Sequence, residues 1–268
     1  MLPKGHLSSS QINMMLRCGQ QYYHHYIKGL SSPPGWALVR GSALDNAVEE
    51  DMRQKVVTGR NLSRERYHEL MANVVETNVK TLDQKDEAVV AAGGPEKIIE
   101  GFLKSTDRVI DAVRPWAEVY QPEAVQKQVV GPVGGYPTLG FIDLRDTAGV
   151  VTDTKFFTKR KQEDEAEVSN QLRLYQILER KAGEPATKAE LFGIYPVKDG
   201  YKSQTLTQEP SPEGELRFEE VAHNVGRTIE AGIFAPVNLD GPLSWVCSRK
   251  WCGFYEMCPY GRAGRRSA

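Results

Sequence analysis

The chain has 268 residues, of which 40% are hydrophobic and 26% are charged, so it is long enough for one large domain or two modest ones. Its 34 basic and 35 acidic residues give a net charge of −1, which neither indicates nor excludes nucleic-acid binding, because a local basic groove suffices. No run of about 18 apolar residues occurs, and the N-terminal MLPKGHLSSS lacks an apolar signal core. We therefore expect a cytoplasmic protein without a membrane span.

The first predicted helix runs from about Gln11 to Lys28, after serine hydroxyls that can cap its first turn. Cys18 falls in the middle of this helix. The aromatic run YYHHY that follows could form a stacking platform or a metal site. In the simpler interpretation, the tyrosines pack half-buried and both His24 and His25 face water.

A second helix is predicted from about Ala37 to Val57, after a helix-breaking PPG sequence. Gly41, Asp45 and Glu49 fall on one stripe of this helix at four-residue spacing. Spacing alone favours a solvated surface for that stripe.

Residues 63–120 are predicted to be helical, with a break at a Gly-Gly pair and a new helix that begins at Pro95. No chemical motif occurs there, so we expect a helical region added to the fold. The pattern changes to strands after Glu123. The predicted strands are Ala124–Val130, Tyr136–Arg145, Val150–Phe157, Ala189–Val197 and Tyr201–Thr207, and the predicted helices are Glu167–Ala182 and Ser211–Ala231.

The stretch GFIDLRDTAGVVTDTK predicts two strands around a turn. Residues two apart on a strand project from the same face, so Asp153 and Lys155 point the same way. A three-residue TAG loop, with its glycine in the left-handed region, would pair Asp146 with Val150. Counting along the strands then places Asp143 opposite Asp153. A two-residue loop would shift the pairing by one residue and turn Asp143 away.

Two carboxylates and an ammonium group on one face cost free energy unless a task or a metal ion neutralises them. Magnesium prefers oxygen ligands, which Asp143 and Asp153 could supply together with a backbone carbonyl. A metal ion there would activate a water molecule at a phosphate, and Lys155 would stabilise the developing charge or position that water. The set describes metal-dependent phosphodiester hydrolysis. A surface hairpin with scattered charges is the alternative.

Two groups of basic residues could attract a phosphodiester backbone or simply face solvent. The first follows the hairpin and contains Lys159, Arg160 and Lys161. The second lies near the end of the sequence and comprises Arg249, Lys250, Arg262, Arg265 and Arg266.

The sequence contains four cysteines, and three of them fall within twelve residues as C-x4-C-x5-C. They are Cys18, Cys247, Cys252 and Cys258. Structural disulfides are not expected in a cytoplasmic protein, so the crowding needs another explanation. Thiolates suit zinc and iron–sulfur clusters alike, and a group shared with Cys18 would join the first helix to the tail and close a long loop. Incidental thiols are the remaining alternative.

Several motifs, taken in order, resemble those of the PD-(D/E)XK nuclease superfamily, and in particular its RecB-type branch of CRISPR-associated adaptation nucleases and phage exonucleases. GSALDNAVEE resembles the first motif and places Asp45 at a metal ligand. GFIDL resembles the second motif, with Asp143 as a metal ligand. TDTK resembles the third motif, with Asp153 as a metal ligand and Lys155 as the catalytic lysine.

Further motifs extend this resemblance. QLRLY is similar to the fourth motif, in which Gln171 would orient the lysine or the substrate and Tyr175 would contact DNA or pack beneath the site. LSSSQINMMLRCGQQYYHHYIKGL is similar to the N-terminal helix of the branch. The final cysteines are similar to its iron–sulfur motif, which Cys18 would complete.

The resemblance implies an α/β fold of the restriction-endonuclease type, with a mixed central sheet flanked by helices, an added helical region and a C-terminal cysteine cluster. It implies a single nuclease domain over residues 1–268, divided into N-terminal helices at 1–62, a helical insertion at 63–122, the catalytic sheet and helix at 123–210, and the cysteine-containing end at 211–268. It also implies Mg²⁺ or Mn²⁺ and a [4Fe–4S] cluster as cofactors.

By the same resemblance the substrate is DNA, with exonuclease action on single-stranded ends. Recombination, replication or CRISPR-associated proteins would be its partners, and the chain could be encoded by a phage and act in the host cytoplasm. Two departures leave alternatives open. Asp45 replaces the family histidine. This aspartate could itself serve as a metal ligand, or it could alter the metal preference or the rate. Four residues, rather than two, separate Cys247 from Cys252. A non-catalytic DNA-binding or assembly module and a zinc-stabilised interaction domain therefore remain possible.

Overall fold

The computed structural model describes residues 1–261, so Arg262, Arg265 and Arg266 of the second basic group lie outside the described residues. The chain forms two compact units. Unit 1 comprises Met1–Pro33, Val130–Gly140 and Pro212–Ala268, and unit 2 comprises Pro34–Val129 and Phe141–Ser211. The assignment of the whole chain to a single nuclease domain stays a prediction.

The helices and strands follow the predicted order. The α-helices are α1 (Ser9–Arg17), α2 (Gly19–Tyr22), α3 (Trp36–Thr58), α4 (Arg64–Thr77), α5 (Glu87–Ala92), α6 (Pro95–Leu103), α7 (Thr106–Val119), α8 (Asn170–Lys181) and α9 (Pro212–Glu230). The strands are β1 (Pro122–Val133), β2 (Tyr136–Asp146), β3 (Val150–Phe156), β4 (Lys188–Val197) and β5 (Gly200–Gln208). Short 3-10 helices occur at Glu163–Glu165 and Ser244–Val246. Apart from the first helix, the predicted helices and strands are confirmed, with small shifts at their ends.

The five strands form one mixed sheet in the order β1-β2-β3-β4-β5. Strand β2 is antiparallel to β3, β3 is parallel to β4, and β4 is antiparallel to β5. A parallel pair requires a crossover connection, and α8 supplies it between β3 and β4. The predicted α/β architecture, a mixed sheet flanked by helices, is therefore confirmed. In residues 1–261 no helix is both long enough and apolar enough to cross a bilayer.

The core of unit 2 fixes the long helix α3 in place. Leu44, Val48 and Met52 of α3 are fully buried at four-residue spacing. Each such side chain contributes about 1.5–3 kcal/mol by leaving water. Farther along the same helix, the buried carboxylate of Asp51 accepts a hydrogen bond of 2.9 Å from the Tyr67 hydroxyl of α4. These contacts hold α3 at a defined position, which matters because α3 carries Asp45.

The predicted continuous helix from Gln11 to Lys28 is wrong, because the chain is extended at Cys18, with φ −166° and ψ 115°. The backbone N–H of Gly19 donates a hydrogen bond of 2.9 Å to the carbonyl oxygen of Ala235. A Cβ atom at Gly19 would lie 2.7 Å from that oxygen. The close approach of these two backbone segments ends α1 at Cys18, so this cysteine lies at a helix end rather than in a helix.

The prediction that both histidines face water is wrong for His24, whose side chain is only 8% exposed. A π-helix at Tyr23–Ile27 follows α2 and contains both histidines. Wide helical turns of this kind are rare and are often found at functional sites. His25 is partly exposed, with its Nδ1 3.2 Å from the carbonyl oxygen of Leu30. Tyr22, predicted to be half-buried, is fully buried.

Candidate active site and cysteine cluster

The turn between β2 and β3 has the predicted three-residue form. The backbone N–H of Gly149 donates to the carbonyl oxygen of Asp146 at 3.0 Å, and Gly149 has φ +80°. The carboxylate of Asp146 also accepts hydrogen bonds from the N–H groups of Ala148 and Val150, at 2.9 and 2.8 Å. A side chain at residue 149 would be strained at this φ, so the glycine fixes the loop length.

This turn sets the pairing of the two strands. Leu144 pairs with Thr152 and Arg145 with Val151, and extending this register by one residue places Asp143 opposite Asp153. Residues opposite each other on an antiparallel pair project from one face of the sheet, and Lys155 shares that face. The predicted register is therefore confirmed, and Asp143 lies close enough to Asp153 for its charge to raise the pKa of that carboxyl group.

Asp153 is fully buried. Its Oδ1 accepts a hydrogen bond of 2.7 Å from the amide nitrogen of Gln171. Its Oδ2 is buried and pairs with the Lys155 ammonium, 2.6 Å away. Burial raises the pKa of Asp153 to about 7, Lys155 opposes that rise, and the neighbouring carboxylate of Asp143 adds to it.

Lys155 is the cation of the site, and its side chain is 40% exposed. Burial alone would lower the pKa of its ammonium group, but the attraction of Asp153, Asp143 and Asp45 outweighs that effect and raises the pKa. Lys155 is therefore protonated at neutral pH.

Asp143 and Asp45 are held by the backbone and side chain of one residue, Thr154. The Thr154 N–H donates to Asp143 Oδ2 at 3.1 Å, and the Thr154 hydroxyl donates to Asp45 Oδ1 at 2.8 Å. Burial raises the pKa of Asp45 to about 6, with Lys155 opposing the rise. The helix α3 thus brings Asp45 to the hairpin, as predicted from its motif.

Two side chains at this site, Glu49 and Gln126, were not predicted to belong to it. The Gln126 amide donates to Glu49 Oε1 and, at 3.2 Å, to Asp143 Oδ1. Glu49 is partly buried, and burial followed by repulsion from Asp143 raises its pKa. The prediction of a solvated stripe is therefore wrong for both Asp45 and Glu49. The sequence signal for Glu49 is its spacing, because it lies four residues after Asp45 and therefore on the same face of α3.

The backbone conformation of Gln126 is unusual. It has φ +52° within β1, a conformation that costs a non-glycine residue about 1–2 kcal/mol. In residues 1–261 it is the one non-glycine residue with positive φ. Such strain persists where surrounding contacts over-determine it, and here the two carboxylate acceptors provide those contacts. Nothing in the strand pattern of the sequence indicates this conformation.

Helix α8 supplies Gln171 and Tyr175, which are brought to the hairpin as predicted. Ser169 caps the helix by accepting a hydrogen bond from the Leu172 N–H at 3.4 Å. The Gln171 amide nitrogen donates to the Tyr175 hydroxyl at 2.7 Å as well as to Asp153. Tyr175 is 3% exposed, so it packs beneath the site, and burial raises the pKa of its hydroxyl far above the usual range.

The four carboxylates Asp45, Glu49, Asp143 and Asp153 form one group, which we call the acidic cluster. In residues 1–261 no three Asp, Glu, His or Cys side chains are arranged as they stand to hold a metal ion. The amides and hydroxyl described above occupy several of the carboxylate oxygens instead. By chemistry the acidic cluster fits a divalent cation, because it groups four carboxylates, whose oxygens such cations prefer as ligands, with a single ammonium group.

The basic loop after β3 is exposed at Lys159 and Arg160. Lys161 is partly buried, forms an ion pair of 2.5 Å with Glu165 and lies 6.0 Å from the ring centre of Phe157. Lys159 and Arg160 are thus accessible to a phosphate group of a nucleic acid in solution.

In unit 1, the four cysteines line one small cavity. None of them forms a disulfide. Cys18, Cys247 and Cys258 are buried, and Cys252 is partly buried. Burial raises the pKa of the Cys252 and Cys258 thiols, and the neighbouring thiols add to it. The sulfur of Cys18 accepts a hydrogen bond of 3.4 Å from the backbone N–H of Val237. The donor set fits a thiophilic metal group, although the four side chains are not arranged as they stand to ligate one.

The mixed sheet places two acids and a lysine on adjacent strands, a set of charges that suits metal-dependent hydrolysis of a phosphodiester. The family model of the PD-(D/E)XK nuclease superfamily matches residues 6–259. The chain therefore belongs to the PD-(D/E)XK nuclease superfamily, which confirms the predicted superfamily and indicates a nuclease that acts on DNA. Nucleases of this superfamily typically use divalent metals such as Mg²⁺ or Mn²⁺. Membership in the RecB-type branch and a phage origin stay predictions.

A solved structure supports the same fold. The crystal structure of a candidate exonuclease from Eubacterium rectale has a TM-score of 0.59 and 13% sequence identity, and the match covers 87% of this chain and 84% of that chain. The crystal structure of SSO0001 is also 13% identical over 90% of this chain and 94% of that chain, but its TM-score of 0.35 carries no argument. No curated protein matches the chain.

Proposed function

We propose that the chain is a metal-dependent deoxyribonuclease that removes nucleotides from DNA ends, with single-stranded ends preferred. The observation that carries this proposal is the pairing of Asp143 with Asp153 across the hairpin, with the ammonium of Lys155 2.6 Å from Asp153 Oδ2. Exonuclease action is supported by the Eubacterium rectale neighbour, itself a candidate exonuclease, and the strand preference comes from the motif resemblance. Recombination, repair or phage DNA processing are the processes that this activity would serve.

In the proposed mechanism, Asp143 and Asp153 would hold Mg²⁺ or Mn²⁺, with Asp45 as a further ligand. When bound, such an ion would lower the pKa of a water molecule and neutralise charge on the phosphate. The protonated ammonium of Lys155 orients the attacking water and stabilises the negative charge that develops on the phosphate.

Gln171 and Tyr175 act on the carboxylate rather than on the substrate. The Gln171 amide fixes Asp153 Oδ1 at 2.7 Å, which directs Oδ2 toward Lys155. Tyr175 accepts from the same amide nitrogen and so fixes the orientation of the Gln171 side chain. Mutation of a residue that orients a metal ligand in this way typically lowers metal affinity or activity by about 10- to 100-fold.

The test is a nuclease assay on single and double strands labelled at either the 5′ or the 3′ end, with Mg²⁺ and Mn²⁺ compared. We expect progressive shortening of the single strand, abolished in Lys155→Ala and in Asp153→Asn. Lys188→Ala is the matched control, because Lys188 is also 40% exposed and also lies 2.6 Å from a carboxylate oxygen, that of Glu190. Its activity should equal that of the wild type.

The competing function is a DNA-binding or assembly module that keeps the fold without cleavage. It is favoured by the absence, in residues 1–261, of three side chains already arranged to hold a metal ion. A wild-type chain that binds single-stranded DNA but cleaves none of the four substrates with either metal would establish this alternative. Equal cleavage by wild type and Lys155→Ala would instead point to a contaminating nuclease.

We propose in addition that the four cysteines of unit 1 hold a [4Fe–4S] cluster, with zinc as the alternative. Support comes from the shared cavity and from the backbone N–H that Val237 directs at the sulfur of Cys18, a donor that suits a thiolate. Anaerobic purification followed by iron, sulfide and zinc analysis tests it. A brown protein with about four irons would agree with the proposal, whereas a colourless protein that contains zinc would support an interaction domain stabilised by zinc.

A further inference from the structure

The buried imidazole of His24 is the most unusual polar group in unit 1. It is 8% exposed, and both of its ring nitrogens are buried without a hydrogen-bond partner among the described residues. A neutral imidazole carries one N–H donor and one acceptor, so at least one buried donor is left unsatisfied. Buried polar groups in proteins are nearly always paired, and an exception calls for a partner that protein atoms do not supply.

The position of His24 shows where that partner would lie. His24 lines the same cavity as the four cysteines. Its ring packs beside Phe254, with the ring centres 5.4 Å apart, and Phe254 also lines the cavity. The π-helix Tyr23–Ile27 carries His24, and the break at Cys18 lies one short helix before it. The break at Cys18 and the π-helix at His24 therefore both position residues that line this cavity.

We propose that His24 donates an N–H hydrogen bond to a sulfur atom of the iron–sulfur cluster held by the four cysteines. The proposal rests on the proposed cluster and adds a residue that the cysteine motif does not contain. His24 is a positioning and tuning residue here, not a ligand, because four thiols already complete a [4Fe–4S] ligand set. Hydrogen bonds to cluster sulfurs raise the reduction potential, because they stabilise the more negatively charged reduced form.

The experiment compares midpoint potentials of the full chain, purified anaerobically with its iron and sulfide measured, by redox titration followed by electron paramagnetic resonance. His24→Phe keeps the ring shape against Phe254 and removes the donor. We expect a tenfold change in the reduction equilibrium toward the oxidised form, which is about 59 mV to more negative potential for one electron. His24→Gln retains an N–H donor and should recover part of the difference.

His25→Phe is the matched control, because His25 is the adjacent histidine of the same π-helix and does not line the cavity. Its midpoint potential should equal that of the wild type. Wild-type protein labelled with ¹⁵N-histidine gives an independent readout: pulsed resonance of the reduced cluster should detect one weakly coupled nitrogen that His24→Gln lacks.

The possible results are distinguishable. Iron-loaded wild type and His24→Phe with equal potentials, or a wild-type spectrum without the nitrogen coupling, would overturn the role of His24 and leave the cluster in place. A wild-type protein that contains zinc and no iron would overturn the cluster itself, and the inference about His24 with it.

Discussion

Replacing Asp153 with asparagine should stabilise the metal-free protein above pH 7 while it abolishes cleavage. Asp153 is fully buried, and burial raises its pKa to about 7. The ionised carboxylate is therefore unfavourable in the folded state at the pH where a nuclease would bind metal. Asparagine keeps an oxygen that can accept the hydrogen bond from Gln171. It loses the ion pair with Lys155, but that side chain is 40% exposed and can be solvated.

The magnitude follows from the pKa. A rise from 3.8 to about 7 corresponds to an upper limit of roughly 4 kcal/mol, at about 1.4 kcal/mol for each tenfold change in the protonation equilibrium. The folded state binds the proton more tightly than the unfolded state, so Asp153 lowers the free energy of unfolding as pH rises from about 4 through 7. Between pH 5 and 8 the expected loss is roughly 2–3 kcal/mol. Asp45, whose pKa is about 6, adds a smaller loss in the same direction.

The assay is urea unfolding in EDTA at pH 5 and pH 8, followed by tryptophan fluorescence. Trp245→Phe and Trp251→Phe, made in both proteins, leave Trp36 and Trp116 as reporters of unit 2. The wild type should lose several times more stability between the two pH values than Asp153→Asn does, and Mg²⁺ should restore stability only to the wild type. Parallel pH dependences of the two proteins would refute the reasoning, because they would mean that Asp153 titrates normally in the folded state.

Three further predictions concern neighbouring residues. Gln171→Leu removes the donor to Asp153 and should weaken Mg²⁺ binding by about 10- to 100-fold in a titration of nuclease rate against metal; unchanged half-saturation would contradict its orienting role. Gln126→Gly and Gln126→Ala both remove the amide donor to Asp143 and should lower the nuclease rate, but only glycine relieves φ +52°, so Gln126→Gly should exceed Gln126→Ala by about 1 kcal/mol in the free energy of urea unfolding; a less stable glycine variant would argue against strain. Arg145→Met removes the guanidinium group 2.8 Å from the fully buried Glu179 and should lower the free energy of urea unfolding by about 3 kcal/mol. A loss below about 1 kcal/mol would show that Lys127 alone is enough to neutralise Glu179.

The geometry of the hairpin was predictable because it depends on local rules. The glycine of the TAG loop sets the loop length, the loop length sets the pairing, and the strand period then places Asp143, Asp153 and Lys155 on one face. Helix α8 was predictable for the same reason, since Gln171 and Tyr175 are one turn apart on it. Each of these steps spans only a few residues and involves one element or two adjacent ones.

The parts that could not be predicted depend on contacts between distant segments. The break at Cys18 comes from the backbone of residues 234–235, more than 200 positions away along the chain. The place of Gln126 in the site depends on a backbone conformation that strand periodicity does not signal. Glu49 was visible on the stripe with Asp45, but only the packing of α3 distinguishes a carboxylate at the site from one in solvent.

The aspartate at position 45 makes the site depend more strongly on a cation than a histidine would. Asp45 adds a fourth carboxylate to the acidic cluster, and Lys155 is the ammonium group that faces Asp153. Burial raises the pKa values of Asp45, Glu49 and Asp153, and repulsion between the neighbouring carboxylates adds to that rise. A divalent cation reverses the balance, because metal ligands bind as deprotonated carboxylates and release their protons. Metal binding by this chain should therefore release protons near neutral pH and strengthen as pH rises through 7, which ties the burial of the acidic cluster to its proposed task.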